Sequence, residues 1–402
     1  MKSNYKRIGD YIKQINVRNN ELKVDNLLGI NIDKFFMPSV ANTIGTDMTK
    51  YKIVRNGQFA CNRMHVGRDK RLPVALSKQA EDIIVSPAYD VFEIIDKEVI
   101  DSKYLMMWFS RAEFDRNAWF YTDADVRGGL KWEDFCNMNL PVPSIAKQKE
   151  IVKEYNILTD RINLNNRLIQ RLEEAARAIY KQWFVDFEFP DEKNGTPYKS
   201  RSGEMEFHEE TGVETPKGWS HKSIGGYVSL SQGLVINKKT NHLIKDKGIP
   251  LLRIKDLIND TQEIFIDESV PKKNIAREDD IIITRTGQVG LVFRNKKGVI
   301  HNNCFKVTPD PSLLNKDYLF WFLKKESTHS EMIELASGSA QLDLTHSSFS
   351  KLLITIPPLH IQNLFSKVVA PLERHKELIF NQNRKLIEFQ FILLSKLATV
   401  ED

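Results

Sequence analysis

The chain has 402 residues, of which 41% are hydrophobic and 28% are charged, and its formal net charge at pH 7 is +5. This length accommodates two or three domains with buried cores, and the composition excludes an intrinsically disordered chain. No stretch approaches 18 uninterrupted apolar residues and the N-terminal residues lack the apolar core of a secretory signal, so we expect a cytoplasmic protein without a membrane-spanning helix.

Residues 1–143 and 219–357 have the pattern of two mixed α/β domains. Strand-like runs such as Asp82–Val85 and Asp280–Thr284 alternate with turn signals, and helical stretches such as Lys103–Phe114 and Lys316–Lys325 lie between them.

Residues 144–188 are predicted to form one long helix. Seam positions recur at alternating spacings of four and three, which is typical of a helix that packs along its length against another helix. These positions are Ile151, Tyr155, Leu158, Ile162, Asn165, Ile169, Leu172, Ala176, Ile179 and Trp183. Only Asn165 interrupts the apolar seam.

Residues 189–218 are rich in Pro, Gly and charged residues and poor in apolar ones. We interpret them as a linker or an extended loop.

Residues 358–402 contain a second seam with the same spacing. Its positions are Ile361, Phe365, Val368, Leu372, His375, Ile379, Gln382, Leu386, Phe389 and Leu393. Pro371 is expected to kink this helix or to begin a new one, giving a short helix before it and a long one after it. The alternative to mutual pairing is that each helix lies on its own domain.

An internal repeat relates the two halves of the chain. At an offset of 214 residues, 103–172 align with 317–386 without a gap, and ten of the seventy pairs are identical. The matching pairs include Leu130/Leu344 and Gln148/Gln362. The domain starts also match, at an offset of 216. The fold predicted is therefore α+β: two similar domains and a long antiparallel two-helix coiled coil, with pseudo-two-fold symmetry. Duplex DNA is a two-fold ligand that suits such an arrangement.

No catalytic constellation is convincing in this sequence. There is no Walker A loop and no His-Glu-x-x-His motif, and the single Glu-Leu-Lys at Glu21–Lys23 is short enough to occur by chance. The cysteines Cys61, Cys136 and Cys304 match neither a disulfide framework nor a zinc site, so we expect free thiols. The chain is predicted to be non-catalytic and to hold no metal or cofactor of its own.

Two basic loops follow strand-like runs at comparable positions in the two domains, and a third basic segment follows Gly248–Leu252. Arg can bond guanine in two-pronged fashion, Gln can do so with adenine, and Lys suits phosphates. The predicted DNA contacts are Arg63, His65, Arg68, Lys70, Arg71, Arg253, Lys255, Arg285, Thr286, Gln288, Arg294 and Lys296. A solvated hairpin tip is the alternative for each loop. We expect His65 and His301 to make hydrogen bonds rather than to bind metal.

Several segments resemble one family. Gly248–Asp256 looks like the strand motif of a target-recognition domain, as does Gln341–Thr345 leading to Ile356–Leu359. Ala175–Glu188, with Trp-Phe-Val-Asp-Phe, is similar to the end of a conserved helix, and Pro216–Trp219 is similar to the start of a second domain. The family is the DNA specificity subunit of type I restriction-modification enzymes. The first domain departs most from it, since Gly29–Asp33 lacks the proline of the strand motif.

This resemblance implies two target-recognition domains, each reading one half of a split sequence in double-stranded DNA. It implies helices that set the unread gap and dock two adenine methyltransferase subunits, with two restriction subunits joining. S-adenosylmethionine, ATP and magnesium would belong to those partners. Such helices should expose apolar residues, and we expect Trp183 and Phe184 among them. The alternatives are a stand-alone DNA-binding scaffold or regulator and a self-contained nuclease or methyltransferase.

Overall fold

The computed structural model describes residues 5–39, 45–64, 66–122, 129–190, 195–209, 212–277, 280–338 and 341–401. The chain divides into two compact units. Unit 1 comprises residues 1–165 and 381–402, and unit 2 comprises residues 166–380. Both divisions fall inside long helices, so each unit contains part of both helices. The domain boundaries at 143, 188, 218 and 357 stay a prediction.

Unit 1 is a mixed α/β unit. Its strands within the described residues are β1 (Tyr5–Arg7), β2 (Ile12–Ile15), β3 (Leu28–Ile30), β4 (Phe36–Pro38), β5 (Lys52–Val54), β6 (Phe59–Cys61), β7 (Val74–Leu76), β8 (Ile83–Val85), β9 (Asp90–Ile94) and β10 (Asn139–Pro141). Its helices are α1 (Val66–Asp69), α2 (Ser102–Phe109), α3 (Ala112–Phe120), α4 (Trp132–Asn137) and the first part of α5 (Ile145–Phe184), with 3-10 turns at Ile8–Asp10, Met48–Lys50 and Leu397–Thr399.

A four-stranded antiparallel sheet, in the order β2-β9-β6-β7, is the centre of unit 1. Side chains on successive strand residues point to opposite faces, and both faces are buried. Phe59 and Phe92 stack on one face with ring centroids 5.0 Å apart, while Ala60 and Val91 face a second apolar cluster.

Unit 2 repeats this plan with additional strands. Its strands within the described residues are β11 (Met205–His208), β12 (Val213–Pro216), β13 (Ser220–Ser223), β14 (Val228–Gln232), β15 (Ile244–Lys245), β16 (Ile249–Leu252), β17 (Phe265–Ile266), β18 (Ile275–Ala276), β19 (Ile281–Thr284), β20 (Val292–Phe293), β21 (Gly298–Ile300), β22 (Cys304–Pro309) and β23 (Leu353–Ile356). Its helices are α6 (Ile254–Asn259), α7 (Lys316–Leu323), α8 (Glu326–Leu335), α9 (His346–Phe349) and the first part of α10 (Leu359–Lys396), with 3-10 turns at Lys199–Arg201, Ile224–Gly226, Asn241–Leu243 and Lys272–Asn274.

The central sheet of unit 2 has the order β14-β22-β19-β20. When the four strands of each sheet are counted along the chain, both central sheets have the order first, fourth, second, third. The strands that begin each domain also pair alike, since β1 pairs with β10 and β13 pairs with β23. A five-stranded sheet, β15-β17-β16-β21-β18, is present in unit 2 in addition. The internal repeat and the α+β fold class predicted from the sequence are confirmed.

Two glycines, Gly9 and Gly225, occupy equivalent positions at the start of the two domains, and close packing explains both. A Cβ on Gly9 would lie 2.7 Å from the Cβ of Cys136, and a Cβ on Gly225 would lie 2.8 Å from the Cβ of Ser350. Such separations are shorter than van der Waals contact, so only glycine fits at either position.

A buried glutamine joins α5 to the body of unit 1. The Nε2 of Gln148 donates to the carbonyls of Val99 (2.9 Å) and Pro143 (2.8 Å), and its Oε1 accepts from the amide of Asp101 (2.9 Å). Asp101 caps α2. One side chain thus fixes the first turn of the long helix against the start of α2.

Gln362 performs the same task in unit 2. Its Nε2 donates to the carbonyls of Leu313 (3.2 Å) and Pro357 (2.7 Å), and its Oε1 accepts from the amide of Asn315 (2.7 Å). Asn315 caps α7. The identical pair Gln148/Gln362 in the repeat therefore reflects a shared buried hydrogen-bond network.

The two long helices pair in both units. In unit 1, Asn165 donates to Asn383 (2.8 Å) and Gln382 (3.0 Å), and Gln390 donates to Thr159 (2.7 Å). Residue numbers rise along α5 as they fall along α10, so the helices run antiparallel there.

The pairing in unit 2 is also antiparallel. Glu173 bonds Lys376 (3.1 Å), and Tyr180 meets Phe365 with ring centroids 5.8 Å apart. Twelve of the predicted packing residues are buried or half-buried: Ile151, Leu158, Ile162, Ile169, Leu172, Ile179, Trp183, Phe184, Leu372, Ile379, Leu386 and Leu393. The predicted seam positions Val368, His375, Gln382 and Phe389 of α10 are instead exposed, so the prediction is wrong at these four positions.

Two side chains expected to be exposed are instead in the core of unit 2. Trp183 and Phe184 are buried, and their ring centroids lie 5.9 and 5.0 Å from that of Phe365. The end of α5 is covered by the domain that follows it, so that expectation is wrong. Other large apolar residues of the helices are exposed, namely Ile157, Leu164, Leu168, Leu378, Ile387, Phe389, Phe391 and Ile392.

Helix α10 continues through Pro371, whereas the sequence predicted an interruption there. Proline removes one backbone hydrogen bond and crowds the preceding turn, at a cost of about 3 kcal/mol. Phe365 and Val369 are fully buried just before it, and Leu372 packs on the same core. Burial on both sides of the proline offsets the local cost and keeps one helix.

Two further local predictions differ from the structure. The region 189–218 contains an antiparallel hairpin of β11 and β12 rather than only extended chain, and Phe189 stacks on Trp219 at 5.1 Å. The stretch Lys103–Phe114 is broken at Arg111, whose backbone is extended, so α2 and α3 are separate helices. The hairpin was not predicted because its segment has few apolar residues. The break at Arg111 was not predicted because the apolar pattern continues through it.

Among the described residues, we find no helix that combines the length and the hydropathy needed to cross a bilayer.

Replacing Gln148 with Ala leaves the Asp101 amide and two carbonyls without their partner, and a buried unsatisfied group costs about 1–3 kcal/mol. We expect hydrogen exchange to accelerate in unit 1 only. Gln362→Ala should have the same effect in unit 2 only. Exchange measured by mass spectrometry tests both, with the exposed Gln170→Ala as control. Equal acceleration in both units after either change would contradict this assignment.

Candidate nucleic-acid interface

The candidate interface of unit 2 is built around Arg285, the first residue after β19. Its guanidinium donates to Asp343 from Nε (2.5 Å) and Nη2 (2.8 Å), and Nη1 donates to Oε1 of Gln232 (3.1 Å). Its amide donates to the carbonyl of Asn303 (2.7 Å). The side chain is 28% exposed. It is therefore held in one orientation while part of the side chain stays accessible.

Electrostatics keep this pair charged. The hydrogen bond to Asp343 raises the pKa of Arg285, and the same bond lowers the pKa of Asp343. Burial, and then the charge of Arg285, lower the pKa of His346. At neutral pH the site therefore holds an ionised Arg–Asp pair beside a neutral histidine.

The loop after Arg285 is shaped by glycines. Gly287 and Gly290 have φ values of +75° and +79°, and a Cβ on Gly290 would lie 2.9 Å from the His329 ring. Glycine tolerates both constraints. Gln288 is exposed and Thr286 is half-buried, so Gln288 offers its amide at the loop surface.

The basic segment at the start of α6 lies beside this loop. A Cβ on Gly287 would be 4.0 Å from Ile254 and 3.9 Å from the Gln341 amide. Arg253 donates to Asp256 at 2.6 and 2.9 Å and to Glu263 at 2.8 Å. Lys255 donates to the same Glu263 at 2.5 Å.

The structure thus brings three predicted segments of unit 2 together on one surface, which we call the unit 2 edge. These segments are the one with Arg253 and Lys255, the one from Arg285 to Gln288, and the one from Gln341 to Asp343.

Two predicted contacts are not at this edge. Arg294 is 8% exposed, lies over the Phe320 ring at 4.1 Å and bonds Asp317 (2.6 Å) and Glu373 (3.1 Å). Two carboxylates and a ring enclose its guanidinium, so it joins α7 to α10 inside unit 2. Lys296 bonds Asp260 (2.6 Å), and its ammonium lies 5.5 Å from the Phe380 ring. Both side chains serve contacts within the unit.

Arg63 occupies the corresponding place in unit 1. It lies two residues after β6, bonds Asp90 at 2.6 Å through Nε, and donates from Nη1 to the carbonyl of Leu130. Gln14 donates to the other oxygen of Asp90 at 2.6 Å. A tethered arginine paired with a carboxylate recurs, but the glutamine differs: Gln14 bonds the carboxylate, whereas Gln232 bonds the arginine.

One backbone contact establishes the equivalence. The amide of Leu130 donates to the carbonyl of Arg63, and the amide of Leu344 donates to the carbonyl of Arg285, both at 3.0 Å. Leu130 and Leu344 are an identical pair in the sequence repeat. The two candidate loops therefore sit on the same scaffold position.

The rest of the first basic loop is mostly exposed. Arg68 bonds Asp69 (2.7 Å), Arg71 bonds Asp33 (2.7 Å), and the ammonium of Lys70 lies 5.0 Å from the Trp119 ring. His65 lies outside the described residues. His301 accepts from the amide of Asn303 at 3.3 Å, in line with the expected hydrogen-bonding role.

Sequence reasoning did not assign the groups that orient the two arginines: Gln14, Asp90, Gln232 and Asp343. Asp343 stands in the Gln341–Thr345 motif and could have been paired with Arg285 on that ground. The described residues contain no cluster of three or more His, Cys, Asp or Glu arranged to hold a metal ion. Cys61 and Cys304 are buried free thiols and Cys136 is a half-buried one.

Comparison with known proteins agrees with this geometry. Residues 216–388 match the model of the type I restriction modification DNA specificity domain. The HindI specificity subunit of Haemophilus influenzae is 22% identical over 98% of both chains. The MjaIX specificity subunit of Methanocaldococcus jannaschii is 26% identical over 76% of this chain and 70% of its own.

A solved structure shows the same fold. The type I restriction-modification S subunit from M. genitalium superposes with a TM-score of 0.55 at 13% identity, covering 98% of this chain and 95% of that one. With two similar units and two long helices, the chain is similar over nearly its full length to a type I restriction-modification specificity subunit, and its residues 216–388 match the DNA specificity domain of that family.

Proposed function

We propose that this chain reads a bipartite target in double-stranded DNA, with one half-site read by each unit. The observation that carries the proposal is the recurrence of a tethered arginine at the same scaffold position, Arg63 in unit 1 and Arg285 in unit 2. Arginine is the residue that most often reads guanine in the major groove.

We further propose that α5 and α10 dock two adenine methyltransferase subunits, and that two restriction subunits join the complex. Support comes from the exposed apolar side chains of the helices, such as Ile157, Leu164, Leu378 and Phe389. Exposed apolar patches of this kind mark protein interfaces. S-adenosylmethionine, ATP and magnesium would be bound by these partners.

Modification-aware sequencing of host DNA with and without the gene tests the proposal. Loss of N6-methyladenine at one split motif is the expected result. An unchanged methylome in a strain that expresses its methyltransferase would contradict it and favour a DNA-binding scaffold that acts alone.

Arg285→Ala should weaken discrimination at the second half-site only. A two-pronged base contact contributes about 1–3 kcal/mol, which corresponds to roughly 5- to 150-fold in affinity. The assembled complex is titrated with duplexes in which either half-site is scrambled.

Lys217→Ala is the matched control, since it removes a cation that is also paired with a carboxylate, Glu204, but lies beside the β11–β12 hairpin. It should change neither half-site. Equal loss at both half-sites after Arg285→Ala would indicate a folding defect and count against base reading.

Inserting seven residues into α5 after Leu164 and seven into α10 after Asn383 preserves the seam spacing and keeps Asn165 opposite Asn383. Seven residues add about 10 Å of helix, close to the rise of three base pairs. We expect the unread gap of the methylated motif to lengthen by about three base pairs, as read by sequencing. The double substitution Gln170→Ala and Arg384→Ala, at exposed polar positions of the same helices and without insertion, should leave the gap length unchanged. A gap of unchanged length in the insertion variant would show that the helices do not set it.

A further inference from the structure

Three consecutive aromatic residues are exposed at the end of α3 in unit 1. Trp119, Phe120 and Tyr121, which we call the aromatic ridge, are 43%, 80% and 44% exposed. The rings of Phe120 and Tyr121 meet edge to face, with centroids 5.6 Å apart. Such surface is costly to leave in water, so a contact that covers it is expected.

Cations flank the aromatic ridge on two sides. The ammonium of Lys70 lies 5.0 Å from the ring of Trp119. Arg116 precedes Phe120 by one helical turn and so lies on the same face of α3. Its side chain is 71% exposed and bonds Glu113 at 3.1 Å. Aromatic rings interleaved with Lys and Arg are typical of surfaces that stack nucleic-acid bases and bind phosphates.

Buried contacts hold the aromatic ridge beside the Arg63 loop. The amide of Leu72, which follows the loop, donates to Asp115 of α3 at 3.0 Å. Asp115 is fixed in turn by the buried Lys34 at 2.7 Å. Because Lys70 and Leu72 both contact α3, the loop and the aromatic ridge form one surface of unit 1.

The aromatic ridge has no counterpart in unit 2. Under the repeat, its three positions correspond to Ile333, Glu334 and Leu335 at the end of α8. Two copies of one partner protein would need equivalent surfaces on both units. A surface present in one unit suits a ligand whose two halves differ, as the half-sites of an asymmetric DNA target do.

We infer that the aromatic ridge is a DNA contact of unit 1, in which Phe120 stacks against a base step at the first half-site while Lys70 and Arg116 face the adjacent phosphates. Apolar side chains that enter a base step partly unstack it, so the contact would read how easily that step deforms. This inference rests on the proposed function and extends it, because it assigns a specificity-determining role to residues outside the arginine loops.

The test uses the complex of the full chain with its methyltransferase partners and the duplex motif found by sequencing. Phe120→Ala is compared with Phe120→Trp, which keeps a stacking ring, and with Phe207→Ala. Phe207 is 63% exposed on the hairpin and its cross-strand partner is Glu214, so it controls for loss of an exposed ring that lies beside a carboxylate. Readouts are affinity and the fluorescence of 2-aminopurine placed within the first half-site, away from the methylated adenine.

We expect Phe120→Ala to lower affinity about tenfold, as loss of one stacked base does, and to abolish the fluorescence rise on binding. Phe120→Ala should leave discrimination at the second half-site unchanged. The variants Phe120→Trp and Phe207→Ala should have the affinity and the fluorescence rise of the unaltered chain. Unchanged affinity and fluorescence in Phe120→Ala would overturn the inference. Loss of methyltransferase subunits, with unchanged affinity of the complexes that remain, would overturn it in favour of a protein contact. If the unaltered complex shows no preference for the motif, the proposed function itself fails.

Discussion

Both units depend on the pairing of α5 with α10, because each core is completed by side chains from both helices. In unit 1, Ile151 of α5 contributes to the cluster that contains the stacked Phe59 and Phe92, and Leu394 of α10 packs against it. In unit 2, Tyr180 and Phe365 enter the cluster beneath the central sheet. Removing a helix would therefore open a domain core as well as the seam. The helices are part of the units' own stability, while other apolar side chains on them, such as Ile157 and Phe389, stay exposed.

The polar residues in the seam determine its register. Asn165 and Asn383 are buried and bond each other, and a slip of one heptad would place Asn383 opposite Leu158 or Leu172. A buried amide without a partner costs about 1–3 kcal/mol, while the apolar seam residues would tolerate the slip. The single polar interruption seen in the sequence therefore has a structural reason. It selects one alignment among several that the apolar seam alone would permit.

Features of the fold that repeat or recur at helical spacing could be predicted from the sequence, and local exceptions could not. Heptads predicted both helices, and Gln148 and Gln362 marked the same junction twice. The prediction of separate helices around Pro371 failed because proline destabilises a helix locally, whereas the burial that offsets this destabilisation comes from the tertiary core. The arginine loops were found because charge and glycine stand out in a sequence. The carboxylates that orient these arginines, Asp90 and Asp343, lie far from them in the sequence. Arg294 cannot be told apart from the neighbouring basic residues by sequence alone, because the side chains that enclose it come from α7 and α10.

The charge balance of the unit 2 edge bears on how such a site discriminates. Arg253, Lys255 and Arg285 are matched by Asp256, Glu263 and Asp343. Three positive and three negative charges give this edge little net attraction for phosphate, the sequence-independent term in DNA binding. What the carboxylates supply instead is orientation, since a guanidinium held at two or three points keeps its free N–H groups in a fixed direction. Under the proposed function, a correct base edge accepts from those N–H groups, while a wrong one leaves the arginine with only its partners within the unit. Weak general attraction combined with fixed donors favours selectivity over tight binding to any sequence.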